Sequence, residues 1–532
     1  MATGHEELVA IATALKLKVE FSAEALAEAA AWEKSPGVDD PLLVDRTDVP
    51  FVTIDGEHSK DLDQAIFVGR DASSSGGYLV EYAIADAAYY VRPGSALFTE
   101  SMQRGASYYF PGYSVPMLPR TLSEGVISLN ANVVRRALVF RHQLDASGQL
   151  LGTTLQRAKV KSRAKLSFSG VQQLVDARES SPLKGAEFEP SLLALREVGR
   201  KRMAIAASRG LVRYRREEVN VTLDGQGLAF AVMEVVRDEV ELWNEQISLL
   251  CNAEGGRLLR EHPSPALQPI YRVQEGPDPA RLEQFARLTE RVAALNGLPV
   301  KPWVWVPETS PLAAYLLALP ASQVLSREER LARAVMRQAM MVNMRSEYSA
   351  HPGPHSGVGA EPYARFSAPM REMVGVFLHK EALELLHGEV GPDVGDEALR
   401  VEVVKVANRS RETQRRVQDL SNEVVLNRLF TPQLERRPEA RQAFRGTLMG
   451  FSGTKVHVRL DAPPLDVKLQ FFDIARSSFN GAWLEIADEG GVVRAKNTTK
   501  ALLFLGQAVD LTVERRDDAG RRWVFALKGV TP

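Results

Sequence analysis

The most informative stretch of the chain reads Thr53-Ile54-Asp55-Gly56-Glu57-His58-Ser59-Lys60-Asp61-Leu62-Asp63-Gln64-Ala65-Ile66. Three aspartates, Asp55, Asp61 and Asp63, fall in a turn-rich loop between two apolar runs that are typical of strands. Carboxylates this close repel one another, so an empty site should raise the pKa of at least one of them, whereas a divalent cation would keep all three ionised. Ligands that are all oxygen favour magnesium or manganese.

An acidic, solvated turn is the alternative interpretation of this loop. Its spacing does not match a calcium-binding loop, which needs alternating oxygen ligands, a central glycine and a terminal glutamate. Magnesium keeps several waters and usually shares its ligands with substrate phosphate. A site of this kind therefore indicates phosphoryl chemistry rather than structural metal binding.

The sequence around the loop predicts a mixed sheet with surrounding helices over about residues 51–429. Strands are expected at 51–54, 65–68 and 78–84, where the residues are apolar and often β-branched. Longer helical periodicities dominate after residue 196, and they predict helices at 239–259, 279–295, 327–343 and 374–387.

Both ends of the chain differ from this middle part. Two short amphipathic helices are expected at 6–17 and 22–34, with Ser22 as the N-cap of the second, and either a helix-turn-helix unit or a plain helical hairpin fits them. From residue 444 onward, about five short strand-like runs predict a small β-barrel. The fold class is therefore multidomain α+β, with a helical unit at 1–48, a mixed α/β domain at 49–430, a connection at 431–442 and a barrel at 443–532.

Composition limits the class of protein. A length of 532 residues predicts three or four domains. Because 66 Lys and Arg nearly cancel 67 Asp and Glu, net charge is no argument for a polyanionic partner, and any basic surface must be local. The single cysteine, Cys251, excludes an internal disulfide and a multi-cysteine metal site. Since the apolar runs are too short to span a membrane, we expect a soluble cytoplasmic protein. We also expect a monomer.

Several motifs in order resemble the ribonuclease II and ribonuclease R exoribonucleases. Besides the aspartate loop, they are Ile84-Ala85-Asp86, Val91-Arg92-Pro93-Gly94-Ser95, Arg104-Gly105-Ala106-Ser107-Tyr108-Tyr109-Phe110-Pro111, Val115-Pro116-Met117-Leu118-Pro119-Arg120-Thr121-Leu122-Ser123, Ser128-Leu129-Asn130, the stretch from Asn244-Glu245-Gln246 to Asn252, Ile270-Tyr271-Arg272-Val273 and Tyr363-Ala364-Arg365-Phe366-Ser367-Ala368-Pro369-Met370-Arg371. The resemblance covers about residues 51–429, and the tail is similar to the family's C-terminal OB-fold barrel.

The resemblance implies processive 3′-to-5′ hydrolysis of RNA to nucleoside 5′-monophosphates with Mg²⁺ or Mn²⁺. It places the metal at Asp55, Asp61 and Asp63, makes Asp63 the most critical of the three, and sets the catalytic arginine, Arg371, beside the scissile phosphate. The implied partner is the 3′ end of single-stranded RNA, with tailed duplex RNA as a further substrate.

The resemblance also implies residues that contact RNA. Tyr109 would stack on the last base, and Glu245 would accept from a ribose hydroxyl. A second stacking position falls on Arg213 or Tyr214, and the sequence leaves the choice between them open.

The chain departs from the family pattern at several positions. A fourth aspartate is replaced by Gln64, whose amide oxygen can still coordinate a metal, and a downstream glutamate is replaced by Gln414, with Glu412 as a substitute if the register differs by two. The usual paired arginines are replaced by Arg371 and Glu372. The fifty or so residues before the catalytic domain are too few for the two cold-shock barrels of the family, and a helical unit is expected in their place.

These departures leave three hypotheses. The first is an active exoribonuclease, which the three aspartates and Arg371 favour. The second is a catalytically weak RNA-binding protein, which Gln64 and Gln414 favour. The third is a DNA-directed metal nuclease that is recruited by the N-terminal helices.

Overall fold

The structure of the protein is a computed structural model, which describes residues 3–71, 75–212, 218–224, 229–235, 237–262, 267–322, 324–387 and 394–528. Its helices are α1 Gly4–Ala14, α2 Ala23–Lys34, α3 Ala87–Tyr90, α4 Ala96–Arg104, α5 Phe168–Asp176, α6 Glu189–Ser208, α7 Glu239–Glu261, α8 Pro279–Asn296, α9 Val300–Trp303, α10 Leu312–Ala318, α11 Arg327–Val342, α12 Met373–His387, α13 Val394–Leu434 and α14 Phe471–Ser478.

The strands run in chain order as follows: β1 Val44–Arg46, β2 Thr53–Asp55, β3 Gln64–Arg70, β4 Tyr78–Ala85, β5 Tyr108–Phe110, β6 Tyr113–Val115, β7 Val134–Leu144, β8 Leu150–Lys161, β9 Lys165–Ser167, β10 Glu218–Leu223, β11 Phe230–Val235, β12 Tyr271–Val273, β13 Glu347–Ser349, β14 Ala443–Ser452, β15 Lys455–Leu460, β16 Asp466–Gln470, β17 Leu484–Ala487, β18 Val492–Ala495, β19 Ala501–Phe504, β20 Ala508–Asp517 and β21 Arg522–Lys528.

A five-stranded sheet with the order β1-β8-β7-β4-β3 forms the centre of the middle region. Its pairs are antiparallel except for β1 with β8. β2 pairs in parallel with β9 beside the sheet, so the aspartate loop leaves one strand pair and enters the edge strand β3. Strand β4 is almost entirely buried, which fits its continuous apolar run and coverage by helices on the core side.

The N-terminal helices pack on the rest of the protein. Helix α1 starts earlier than the sequence pattern predicts because Thr3 and Glu6 form a capping box, and it ends before Lys16, which has a left-handed φ of 56°. Its buried face joins a small apolar cluster with the β5–β6 hairpin and α13. In α2 the Ser22 hydroxyl accepts from the Ala25 amide, as predicted, and the helix packs against α4.

Helix α13 joins three apolar clusters. Val406 lies in the core under the central sheet, Val417 lies in the N-terminal cluster, and Phe430 is buried in the C-terminal barrel. A charged helix of 41 residues is stabilised here mainly by tertiary packing along its length. It continues past residue 430 to Leu434, so it overlaps the predicted connection, while the predicted domain boundaries stay a prediction.

The C-terminal region contains an antiparallel sheet with the order β16-β15-β14-β20-β21 and a three-stranded sheet with the order β17-β18-β19. Helix α14 connects β16 to β17. Alternating residues of these strands form one apolar core with the end of α13. The predicted fold class, with helices first, a mixed α/β middle and a C-terminal OB-like barrel, is confirmed.

Helices α7, α8, α11 and α12 match the predicted helices within two residues at each end. Among the described residues, no helix combines the length and the apolar character that crossing a bilayer would need.

Candidate active site

The aspartate loop is anchored at its C-terminal end. Leu62 is buried, its amide donates to the Ser128 hydroxyl at 3.0 Å, and that hydroxyl donates to the Lys60 carbonyl at 2.9 Å. The Ala85 amide, at the end of β4, donates to the Asp63 carbonyl at 2.8 Å. The backbone of Asp63 is therefore held by the neighbouring strand and not only by its own loop.

The Asp63 side chain is only 2% exposed. It accepts from the Met370 amide at 3.1 Å and from Nε of Arg371 at 2.6 Å. The pKa of Asp63 is raised to about 6. Burial is the largest cause, the charge of Arg371 lowers the pKa, and the charge of Asp61 raises it. The sequence predicted a raised pKa from repulsion between the aspartates, whereas its largest cause here is burial and the repulsion by Asp61 is smaller.

The other two aspartates lie at the same arginine. Asp61 accepts from the Tyr109 hydroxyl at 3.2 Å, whereas Asp55 accepts from the Gly56 amide at 2.7 Å and the Ser59 hydroxyl at 2.9 Å. The charges of Asp63, Asp61 and Asp55 all raise the pKa of Arg371. The structure thus brings Asp61, Asp63, Tyr109 and Arg371 together and places Asp55 within electrostatic range of Arg371, although the carboxylate oxygens of the three aspartates do not all come within 4.8 Å of one another.

Gln64 is directed into a different set of contacts. Its Oε1 accepts from the Tyr82 hydroxyl on β4, and its Nε2 donates to the Ser367 carbonyl. Successive residues of a strand point to opposite faces, which explains why Gln64 and Asp63 have different neighbours. Coordination of a metal by Gln64 stays a prediction.

The segment 363–371, which ends at Arg371, is fixed by hydrogen bonds to Asn252 of α7. Asn252 is only 2% exposed. Its Oδ1 accepts from the amides of Phe366 and Ser367 at 2.8 and 3.1 Å. Its Nδ2 donates to the Tyr363 hydroxyl at 3.1 Å and the Ser367 hydroxyl at 3.0 Å. Asn252 ends one of the motifs that carry the family resemblance, but the motif alone gives it no role; a polar residue on the buried face of an amphipathic helix is a usable signal for one.

Tyr109 lies on β5 with its side chain 53% exposed. The neighbouring Ser107 donates its amide to the Arg371 carbonyl at 2.9 Å. Gln414 of α13 donates to the Ser107 carbonyl at 3.4 Å, so it supports the backbone that carries Tyr109. An exposed aromatic ring beside the aspartates is the geometry expected for base stacking.

A large open cavity of about 2120 Å³ lies between α6, α7, α11 and the C-terminal barrel. Glu245 lines it and forms an ion pair with Arg237 at 3.1 Å. Arg213 and Tyr214, the two candidates for a second stacking residue, lie outside the described residues.

A second acidic group lies away from the loop. Among the described residues, Glu381, Glu384 and Asp396 are the three acidic side chains whose oxygens come within 4.8 Å of one another. The Lys380 ammonium forms ion pairs with all three, at 3.2, 2.5 and 2.7 Å. The chain therefore already places a cation of its own among these oxygens, and its single charge balances at most one of the three carboxylates.

The aspartate loop, in contrast, suits a hard divalent cation. Its donors are carboxylate oxygens, and the raised pKa of Asp63 means that this charge is under-compensated even with Arg371 beside it. A divalent cation would supply the missing positive charge. Asp55, Asp61 and Asp63 are the residues that would hold it.

The chain is similar to known proteins in both sequence and fold. The family model for the RNB domain matches residues 44–387. Ribonuclease R of Vibrio parahaemolyticus is 30% identical over 349 residues, which cover 65% of this chain and 40% of the relative. Exoribonuclease 2 of Klebsiella pneumoniae is 28% identical over 429 residues, which cover 78% of this chain and 61% of the relative. The chain thus spans less than two thirds of the length of these curated relatives.

A solved structure, described as Mycoplasma genitalium RNase R in complex with ribose methylated single-stranded RNA, has the same fold. Its TM-score is 0.82 at 21% identity, and the match covers 99% of this chain and 78% of that chain.

Proposed function

The chain belongs to the RNB-domain family, and from that premise we propose that it is a 3′-to-5′ exoribonuclease. It would hydrolyse RNA processively to nucleoside 5′-monophosphates. The observation that carries the proposal is the contact between Asp63 and Arg371 beside the exposed ring of Tyr109. This arrangement would provide an anionic metal site, a cation for phosphate and a platform for a base within one cluster.

Asp55, Asp61 and Asp63 would hold Mg²⁺ or Mn²⁺. When bound, divalent ions supply activation of the attacking water and stabilisation of the leaving 3′-oxygen. Arg371 keeps its Nε on Asp63, and within the described residues its Nη groups make no hydrogen bond. Those groups would bind the non-bridging oxygens of the scissile phosphate, where charge develops during hydrolysis.

Substrate contacts would extend from this cluster. Tyr109 would stack on the terminal base without selecting its identity. Glu245 would accept from a ribose 2′-hydroxyl and so favour RNA over DNA. Arg213, Tyr214 and Gln414 complete the proposed RNA contacts, with Gln414 acting through the backbone of Ser107.

The large cavity would hold the RNA strand between the helices and the barrel. Lys455, Arg459 and Lys468 lie on paired strands of the barrel, where they would bind phosphates of any sequence. We also propose that a duplex with a 3′ tail is a substrate. A stop many nucleotides before the duplex of a tailed hairpin would overturn that part. A cytoplasmic location and a monomeric state stay predictions from the sequence.

A catalytically weak RNA-binding protein is the second candidate function. The observation that favours it is the engagement of Gln64 with Tyr82 and Ser367, because the amide adds no charge to the metal site. The three retained aspartates and Arg371 favour the enzyme.

The discriminating experiment incubates the protein with 3′-labelled single-stranded RNA and Mg²⁺ or Mn²⁺, with Asp63→Asn as control. Release of labelled mononucleotide by the unaltered chain alone is the result we expect. RNA binding without release under either metal supports the second candidate, and equal degradation of single-stranded DNA supports a DNA-directed nuclease.

A further inference from the structure

Two arginines from distant parts of the chain meet at Ser346. Arg272 on β12 donates from Nε to the Ser346 hydroxyl at 3.3 Å. Arg411 on α13 donates from Nη2 to the same hydroxyl at 3.2 Å and from Nη1 to the Ser346 carbonyl. The guanidinium carbon of each arginine lies 5.9 Å from the centre of the Tyr348 ring. Two like charges are therefore held close together.

Glu372, a carboxylate whose charge acts on both arginines, is already bound by other residues. Glu372 accepts from the Tyr348 hydroxyl at 2.5 Å, and its other oxygen lies 3.1 Å from Nε of Arg365. Across the parts of the chain that the structure describes, no carboxylate oxygen lies within 4.0 Å of Arg272 or Arg411. The two guanidinium groups consequently carry positive charge that no acidic side chain of the described residues pairs directly.

The electrostatics of the neighbours agree with this excess charge. The pKa of Arg411 is lowered by burial and then by Arg272. Burial followed by the charge of Arg272, with a contribution from Arg411, lowers the pKa of His355 to about 4. Arg272, Ser346 and His355 line the large cavity, so the charge of Arg272 faces the space proposed for RNA, and Arg411 adjoins it through its contacts with Ser346.

The pair is held in place by the backbone. Asn408 of α13 accepts from the Tyr348 amide and donates to the Tyr348 carbonyl, both at 2.9 Å, which fixes β13 to the helix that carries Arg411. The Arg272 amide donates to the Tyr363 carbonyl at 2.8 Å, which joins β12 to the segment that carries Arg371. A preorganised donor pair binds an anion with little further loss of conformational entropy.

We propose that Arg272, Arg411 and Ser346 form a phosphate-binding site for an internal phosphodiester of the RNA strand, upstream of the scissile phosphate. The inference rests on the proposed function, since it assumes that RNA occupies the cavity. The two guanidinium groups retain N–H donors that are not used by Ser346, and planar donors of this kind match the oxygens of a phosphate. The site would position the strand and would not select its sequence.

The test measures binding of a short oligoadenylate by protein with the Asp63→Asn change, which prevents hydrolysis. Arg272→Met and Arg411→Met should each weaken binding roughly tenfold and lower the salt slope by about 0.7. Arg287→Met on α8 is the matched control, because Arg287 forms an ion pair with Glu283 at 2.8 Å. Thermal melting of each variant, with Arg411→Lys as the conservative replacement, separates loss of folding from loss of binding.

A second measurement keeps both arginines. Uncharged methylphosphonates are placed one position at a time along the oligonucleotide. One internal position should weaken binding to the protein with intact arginines, and the same position should have no further effect in the arginine variants, which is the non-additivity of a direct contact. Competition by a nucleoside 5′-monophosphate that depends on the two arginines would show instead that the site takes the product, and would overturn the internal-phosphodiester assignment.

The proposed site would be overturned if methylphosphonates weakened binding equally at every position. It would also be overturned if the arginine variants bound the oligonucleotide as tightly as the Arg287→Met control. These outcomes are distinct from failure of the proposed function. If the protein with all its residues unaltered releases no mononucleotide, the exoribonuclease proposal fails whatever the binding data show.

Discussion

The Asp63 carboxylate accepts the Nε–H of Arg371 at 2.6 Å across 308 positions of the chain. Asp63 is the last residue of the aspartate loop before β3. Arg371 is the last residue of the segment 363–371, and Asn252 and Gln64 hydrogen-bond to Ser367 in that segment. The ion pair therefore forms only when these separate parts have packed together.

Asp63→Asn should leave the metal-free protein as stable as the unaltered chain, or more stable. A pKa of about 6 means that ionised Asp63 opposes folding at neutral pH, by an amount on the order of 3 kcal/mol. In chelator, thermal melting should show no loss of stability in the variant. Added Mg²⁺ or Mn²⁺ should raise the Tm of the unaltered chain only. Equal stabilisation of both proteins by metal would contradict a site at Asp63.

Gln64→Leu should lower the unfolding free energy, through lost contacts to residues 363–371, and should leave the metal affinity nearly unchanged. The change leaves the Tyr82 hydroxyl and the Ser367 carbonyl without their partner, which costs roughly 2–4 kcal/mol of unfolding free energy. The metal concentration that gives half-maximal activity should change little. A large loss of metal affinity without loss of stability would instead identify Gln64 as a ligand. Gln418→Leu on the exposed face of α13 is the control.

Asn252→Ala should lower kcat far more than it raises KM. The change removes both oxygen contacts to the amides of Phe366 and Ser367, so Arg371 loses its position relative to the phosphate. The unfolding free energy should fall by about 3 kcal/mol because buried donors lose their acceptor. Kinetics on a short RNA and urea unfolding measure both effects. An unchanged kcat in a folded variant would refute the positioning role, and Asn422→Ala serves as the surface control.

Tyr109→Ala should weaken binding of the RNA 3′ end by about 1–3 kcal/mol, whereas Tyr109→Phe should retain most of the affinity. The phenyl ring keeps the stacking surface and loses only the hydrogen bond to Asp61. Binding is measured with Asp63→Asn present in every protein. An oligonucleotide that lacks its terminal base should bind the alanine and phenylalanine variants equally. Equal weakening by both changes with ordinary RNA would argue against stacking.

His379→Gln should make the unfolding free energy depend less steeply on pH in the acidic range. Burial lowers the pKa of His379 to about 4, while the unfolded chain titrates near 6.5. Between these values the unfolded state binds more protons, so this residue makes stability rise with pH, by up to about 1.4 kcal/mol per pH unit. Glutamine can still donate to the Phe366 carbonyl, which His379 contacts at 3.0 Å. Urea unfolding from pH 4 to 6.5 should give a smaller slope for the variant, and parallel curves would exclude the contribution.

Local patterns predicted much of the fold. The bounds of α7, α8, α11 and α12 follow from apolar periodicity and N-cap residues, both of which act within a few turns of chain. The N-terminal helix was placed too late, since the capping box at Thr3 and Glu6 was not recognised. The full extent of α13 was missed because its stability comes from three separate apolar clusters rather than from a strong local signal.

The sequence by itself determined which functional groups are present, namely three aspartates in one short loop and the arginine motif. It also determined the family and most of the strands and helices that carry these groups. Only the tertiary structure decided how these groups are used. It paired Asp63 with Arg371, turned Gln64 towards Ser367, made Asn252 the support of the arginine segment and left Arg272 and Arg411 together without an acidic partner among the described residues. Composition and periodicity report on neighbours along the chain, whereas contacts across hundreds of residues depend on how separate elements pack and on which polar groups burial forces into pairs.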